Sequence, residues 1–302
     1  MQILIISDDS HRTAMAEAVA EHLQGEVAVI PVAEITRQGF QAYAAMAKPN
    51  LILSCGQIAA PHAVAFKQLF GDVPTVSILD PGEEADFFDL IVTPNHEPIP
   101  RYDGVFVTTG YLNKVNPARL ARAKADFEGG KYDYLQQLPL QSPVFALLVG
   151  GVHVGDDLTE ADITAITDFT KAQGGTVLAT TSPRTPMQIS QALHDYLAAP
   201  YFLYDFKRRA VSPNPYTVML ALADHIIVTG DSARMVSEAV SSGKPAWIYA
   251  PEDRFFQYQS LHQAFYRAGK AAPLSAFDAG HPFELGLNEA ARVAEYIAVH
   301  YL

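Results

Sequence analysis

Residues 229–251 read TGDSARMVSEAVSSGKPAWIYAP. The apolar run HIIVT (225–229) leads into it. An amphipathic stretch follows, then Gly243-Lys244-Pro245, then a second apolar run, AWIYA (246–250). Strand, turn, helix, turn and strand within one short window make a βαβ unit. In an open α/β sheet, the turn that leads from such a strand into its helix lies where ligands are held. Here that turn is Gly230-Asp231-Ser232.

The same alternation fills the rest of the chain. Strand-like runs lie at 3–7, 27–31, 51–54, 75–79, 90–94 and 105–109, and again at 144–150, 176–180, 201–205, 226–229 and 246–250. Helical patterns lie at about 11–23, 34–47, 58–70, 159–173, 184–198, 215–223, 232–242, 259–268 and 288–301. The strands are short and apolar on both faces, as in parallel sheets covered by helices. The 302 residues exceed the usual size of one core. The expected class is α/β, with two Rossmann-like domains of parallel sheet: 1–125 and 143–287, joined by a linker over 126–142 that carries Gly129-Gly130 and Pro139 and runs up to Pro143. The last helix, 288–302, is expected to return to the first domain.

Composition narrows the function. With 21 basic and 33 acidic side chains the net charge is −12, a poor match to nucleic acid, whose binding depends on phosphate neutralisation. The basic clusters Arg119/Arg122/Lys124 and Lys207-Arg208-Arg209 read as solvated faces. No apolar run approaches the roughly 18 residues of a membrane span. MQILIISDDS reads as a first strand rather than a signal peptide. The single cysteine, Cys55, gives no internal disulfide or cysteine-based metal site. A cytoplasmic protein is expected, with peripheral contact at the inner membrane left open.

In the second half, small or polar residues end four strands. Gly150-Gly151 either lets backbone approach a ligand closely or makes a turn. Ser182, Arg184 and Thr185 open a helix; amides, dipole and guanidinium together suit an anion, with Ser182 as a plain N-cap the alternative. Asn214 and Tyr216 sit where Pro215 starts a helix. Gly230 allows close approach, Asp231 and Ser232 cap the next helix, and the amides of Ser232 and Ala233 can take a phosphate oxygen. Glu238, further down that helix, reaches a ribose diol or is solvated. The chain has no Gly-x-Gly-x-x-Gly, no Walker A loop and no Asp-x-Asp. Anion neutralisation by amides, hydroxyls and Arg184 suits a nucleoside diphosphate held without metal or cofactor.

SPRTP (182–186), NPY (214–216) and LADHIIVTGDSARMVSEAVSSGKP (222–245) resemble the family named for the plant mitochondrial-fission protein ELM1, whose bacterial members are classed with glycosyltransferases. LSCGQIAAPHAVAFKQLFG (53–71), VSILDP (76–81), FDLIVTPNHE (88–97) and VTTGYLNKV (107–115) follow the same family in order. The resemblance implies a two-domain GT-B fold with a cleft, a UDP- or GDP-type sugar donor on the second domain, and transfer to an envelope saccharide or lipid-linked acceptor. A nucleotide-sugar epimerase or hydrolase, and a non-catalytic adaptor, are the alternatives. The chain departs from the family pattern at Gln57-Ile58, where basic residues are common, and at Asp8-Asp9-Ser10-His11, where a glycine-rich turn is expected.

On the first domain, transfer to a hydroxyl needs a base. Asp8, His11 and His96 are the catalytic candidates, with Glu97 as a carboxylate partner for His96. Gly56, Gln57, Asp80 and Glu97 are the acceptor-side candidates. Asp8 as a helix cap, His96 as a turn residue and Asp80-Pro81 as a plain turn stand beside these readings.

Overall fold

The computed structural model describes residues 1–36, 40–98, 101–151, 157–198, 200–208, 211–251 and 254–302. These divide into two compact units, residues 1–114 with 288–302 and residues 115–287.

The first unit contains β1 (Gln2–Ser7), α1 (Ser10–Leu23), β2 (Glu26–Pro31), β3 (Leu51–Cys55), α2 (Ala60–Phe70), β4 (Thr75–Ile78), β5 (Leu90–Pro94) and β6 (Val105–Thr108). All pairings are parallel, in the order β2-β1-β3-β4-β5-β6. The central strands β3 and β5 are buried throughout. That is why they read as unbroken apolar runs rather than alternating ones. One face packs Met15, Ala16 and Val19 of α1 against Val293, Ala294 and Ile297 of the last helix, Glu289–His300. The other packs Leu4, Ile6 and Ile52 against Ala63, Phe66 and Phe88.

The second unit contains α3 (Pro117–Glu128), α4 (Asp133–Gln136), β7 (Val144–Leu148), α5 (Glu160–Gln173), β8 (Thr176–Thr180), α6 (Met187–Tyr196), β9 (Tyr201–Tyr204), α7 (Tyr216–Leu222), β10 (His225–Thr229), α8 (Ala233–Ser241), β11 (Ala246–Tyr249), α9 (Gln259–Arg267) and β12 (Ala272–Pro273); the last helix, Glu289–His300, is α10. Its order is β12-β11-β10-β7-β8-β9, again all parallel. This is the 3-2-1-4-5-6 order of dinucleotide-binding folds, whereas the first sheet follows the 2-1-3 order of the other doubly wound class.

Three expectations need correction. Residues 115–142 belong to the second unit and are not a bare linker. Ala123, Tyr132 and Leu135 are buried against Val144, Leu178, Val218 and Met219. The glycine pair lies within this packed segment, between α3 and Tyr132. Second, no long helix fills 34–47: 3-10 turns occupy Val32–Glu34 and Phe40–Ala45, and residues 37–39 lie outside the described residues. Third, the helix expected from residue 184 begins at Met187. Arg209 of the second basic cluster lies outside the described residues.

Each sheet has one point where the chain reverses its direction of travel across the strands. In the first it lies between β1 and β3, in the second between β7 and β10. The crevice outside the carboxyl ends of those strands is where open α/β sheets take ligands.

Candidate functional site

At the second switch point, β7 ends in Val149-Gly150-Gly151 and β10 in Gly230-Asp231-Ser232. Gly150 N–H donates to the Thr229 hydroxyl at 2.8 Å, tying the two strand ends together. A methyl group placed on Gly150 would lie 2.5 Å from both carboxylate oxygens of Asp231. On Gly151 it would lie 2.4 Å from Arg184 Cβ, and on Gly230 2.7 Å from the His262 ring. All three glycines are therefore required by close approach.

The turn after β8 closes onto the same strand end. Ser182 Oγ donates to the Gly150 carbonyl at 3.1 Å, and the Thr185 hydroxyl donates to it as well. Ser182 N–H donates to Thr185 Oγ1 at 2.8 Å and Arg184 N–H to Ser182 Oγ at 3.2 Å. These side chains saturate the turn's own amides, so α6 starts later and Ser182 is not its cap. What this turn leaves available to an anion is the exposed Arg184 side chain, not the N–H groups of Ser182 and Arg184.

Ser232 caps α8 by accepting from Met235 N–H at 3.4 Å. The first amides of such a helix have no intrahelical acceptor and carry the positive end of the dipole, so they face an anion. Asp231 is 0% exposed, and among the described residues neither of its carboxylate oxygens has a hydrogen-bond partner. Thr229, the Gly151 and Asp231 N–H groups and the charge of Arg184 favour the ionised form without reaching the carboxylate at hydrogen-bonding geometry. Burial outweighs them and pushes its pKa up to about 6. Asp231 thus does not cap the helix; the cap is Ser232 alone.

His262 of α9 is a site residue that the sequence did not disclose. Its Nε2 lies 3.0 Å from the Gly230 carbonyl, and burial lowers its pKa to about 4. The ring is therefore neutral at physiological pH and donates that bond through Nε2–H. The available signal was a polar residue set between buried Leu261 and Phe265 on one helix face.

Glu238 is neither solvated nor open. It is 7% exposed, accepting from Tyr216 OH at 2.6 Å and from Arg234 Nε at 3.0 Å. Burial, then the Glu238 charge, raise the Tyr216 hydroxyl well above its ordinary pKa. Asn214 is exposed and accepts from Tyr216 N–H at 2.9 Å, a local turn cap. So Tyr216 and Glu238 come together, while Asn214 serves the backbone.

At the first switch point, Asp9 caps α1 by accepting from Arg12 N–H at 2.8 Å. Asp8 instead pairs with the Arg12 guanidinium. Arg12 lies against Gly56, whose φ of +78° favours glycine; a methyl group there would meet Arg12 Nε at 3.3 Å. Arg12, unnoticed in the sequence, is the cation of this crevice. Gln57 is exposed at one end and packs on the turn at Gly82. Asp80 accepts from Gly82 N–H at 2.9 Å, the turn role, just after Leu79 in the left-handed region at φ +70°. That conformation is strained for a side chain of this size. Glu97 accepts from the Tyr111 hydroxyl, and the His96 and His11 rings stand edge-on to Tyr111 at 4.9 and 6.4 Å. Tyr111 thus touches all three candidates, His11 as well as the His96–Glu97 pair that the sequence suggested.

Among the described residues, no group of three or more His, Cys, Asp or Glu could hold a metal ion, and no helix is long and apolar enough to cross a membrane.

Comparison with solved structures places the fold. The UDP-GlcNAc 2-epimerase of Neisseria meningitidis, bound to UDP-GlcNAc, aligns with TM-score 0.61 at 14% identity over 99% of this chain and 100% of that one. MurG of Acinetobacter baumannii aligns with TM-score 0.50 at 12% identity, covering 99% of each. The two-sheet architecture is that of GT-B glycosyltransferases and epimerases. Among curated proteins, the mitochondrial fission protein ELM1 of Arabidopsis thaliana is 24% identical over 261 residues, 76% of this chain and 58% of that protein, so the match spans little more than half of the relative. The uncharacterised protein RP120 of Rickettsia prowazekii is 24% identical over a 348-residue alignment that covers 98% of both chains. The family model described as mitochondrial fission ELM1 matches residues 7–301, and the chain belongs to that family.

Proposed function

We propose that the chain binds a nucleoside-diphosphate sugar at the carboxyl ends of β7, β8 and β10, and transfers the sugar to a hydroxyl without a metal ion. The observation that carries this reading is the convergence of Gly150, Gly151, Arg184, Gly230 and the first turn of α8 on one switch point. The amino end of α8 and a guanidinium stand where a leaving diphosphate gains charge, which is the stabilisation such a departure needs. The likeness to a UDP-GlcNAc-bound structure supports a sugar nucleotide of UDP type, with GDP type as the neighbouring choice. In this reading the acceptor is an envelope saccharide or a lipid-linked sugar. Its proton goes to a base among Asp8, His11 and His96, held with Arg12, Glu97 and Tyr111 at the strand ends of the first unit.

Thermal unfolding against UDP, GDP, ADP, CMP and their common sugar nucleotides tests the donor. A ligand at about 100 times its Kd adds about 2.7 kcal/mol. One nucleotide class should raise the midpoint, and Arg184→Ala should remove most of that rise while leaving the ligand-free midpoint unchanged, because the side chain is exposed. Donor consumption without any acceptor would replace transfer by epimerisation or hydrolysis. A flat response to every nucleotide would replace the enzyme by an adaptor.

A further inference from the structure

Asp231 is out of place beside an anion seat. Its carboxylate is wholly buried, rests on Gly150 and has no hydrogen-bond partner. The Thr229 hydroxyl that stands near it already accepts from Gly150 N–H and points to the Leu148 carbonyl at 3.5 Å. Among the described residues, the charged and titratable groups around it are few. Arg184, from the turn after β8, is the cation that favours the ionised form. His262, from α9, flanks Gly230 and is neutral. On α8, Arg234 and Glu238 pair with each other.

The residue next to Asp231 starts the helix whose first amides face the anion. A diphosphate seated there sets two negative charges beside a buried carboxylate. Like charges that close in a low-dielectric site do not both stay ionised. We propose that the site takes up one proton with each anionic ligand, and that the proton resides on Asp231. This rests on the nucleotide-sugar reading above. The proton comes from solvent, no covalent bond changes, and on release of the ligand it returns to solvent.

The sign is fixed. In the free protein the carboxyl group titrates near pH 6, so at lower pH it is already protonated and ligand binding takes up nothing. Above that pH each ligand brings one proton, and the apparent affinity falls about tenfold per pH unit until the raised pKa of the bound state is passed.

The test is calorimetric titration with UDP-N-acetylglucosamine and GDP-mannose in two buffers of different protonation enthalpy. A sugar nucleotide is the right probe, because its diphosphate is esterified at both ends, whereas a free terminal phosphate itself titrates near pH 6. At about pH 7 the wild type should take up close to one proton per ligand, with affinity falling about tenfold to about pH 8. Asp231→Asn should take up none and bind equally at both pH values. Binding with no uptake by the wild type, a measurement that needs no variant, overturns the inference and leaves the nucleotide reading intact. Uptake that persists in Asp231→Asn puts the proton elsewhere and also overturns it. Failure of both sugar nucleotides to bind removes the nucleotide reading, and the inference with it.

Discussion

A buried carboxyl group without a partner costs stability, and Asp231 is such a group. Its folded pKa of about 6 lies above the ordinary 3.8, so the folded protein holds a proton that the unfolded chain releases between those values. Stability from this group is therefore greatest in acid and falls as pH rises through about 6. Asp231→Asn should stabilise the protein at neutral pH by on the order of 2 kcal/mol, with the gain vanishing near about pH 4. Urea midpoints of both proteins across that range measure it; a gain independent of pH would show that the cost is not one of ionisation. His262 has the opposite sign. A base with a lowered folded pKa loses stability as pH falls, here from the ordinary 6.5 toward 4. Neither property was legible in the sequence. A one-letter string gives Asp after Gly the look of a cap, and only the packing of Gly150 onto the carboxylate removes it from that duty.

At the scale of elements, the strands were the most legible part. A parallel strand covered on both faces must be apolar throughout, and the runs at 51–54, 90–94 and 176–180 are buried along their whole length. Helix starts were less legible, because side chains compete for the first amides. Ser182 and Thr185 take up the turn after β8 and postpone α6 to Met187, which no periodicity reveals. The pattern at 34–47 contains Gly39, a residue that weakens helix, and short 3-10 turns stand on either side of it. The glycine-ended strands give a further expectation. Gly151→Ala forces a methyl group within 2.7 Å of the Arg184 backbone, which cannot swing aside as a side-chain tip would. It should lower stability by about 1–3 kcal/mol and weaken nucleotide binding at the same time. Alanine at Gly243, which has no atom near a would-be methyl group but has φ +71°, should cost stability and leave binding unchanged. Paired denaturation and binding curves for the two variants separate the effects.

The whole molecule was read correctly as two α/β units, but their boundary was not, because amphipathic α3 looks alike in either unit until its partner α7 is known. The second unit is continuous in sequence, residues 115–287, with its own buried clusters. Produced alone, it should unfold in one cooperative transition. Residues 1–114 produced alone should not, because Val293, Ala294 and Ile297 of α10 complete their core. Adding back 288–302 as a peptide should restore a transition visible by circular dichroism. If residues 1–114 fold cooperatively without it, α10 is an accessory rather than a core element.

That dependence on α10 has a consequence for how the protein is made. Synthesis runs from the amino end, and residues 1–114 leave the ribosome before the second unit. Its core is nevertheless finished by α10, which is translated only after the second unit. The buried side of α1 must wait, uncovered, while the entire second unit is produced, on the order of ten seconds or more. Of the two units, the one made earlier matures later, and in that interval its exposed apolar groove is a target for chaperones and proteases.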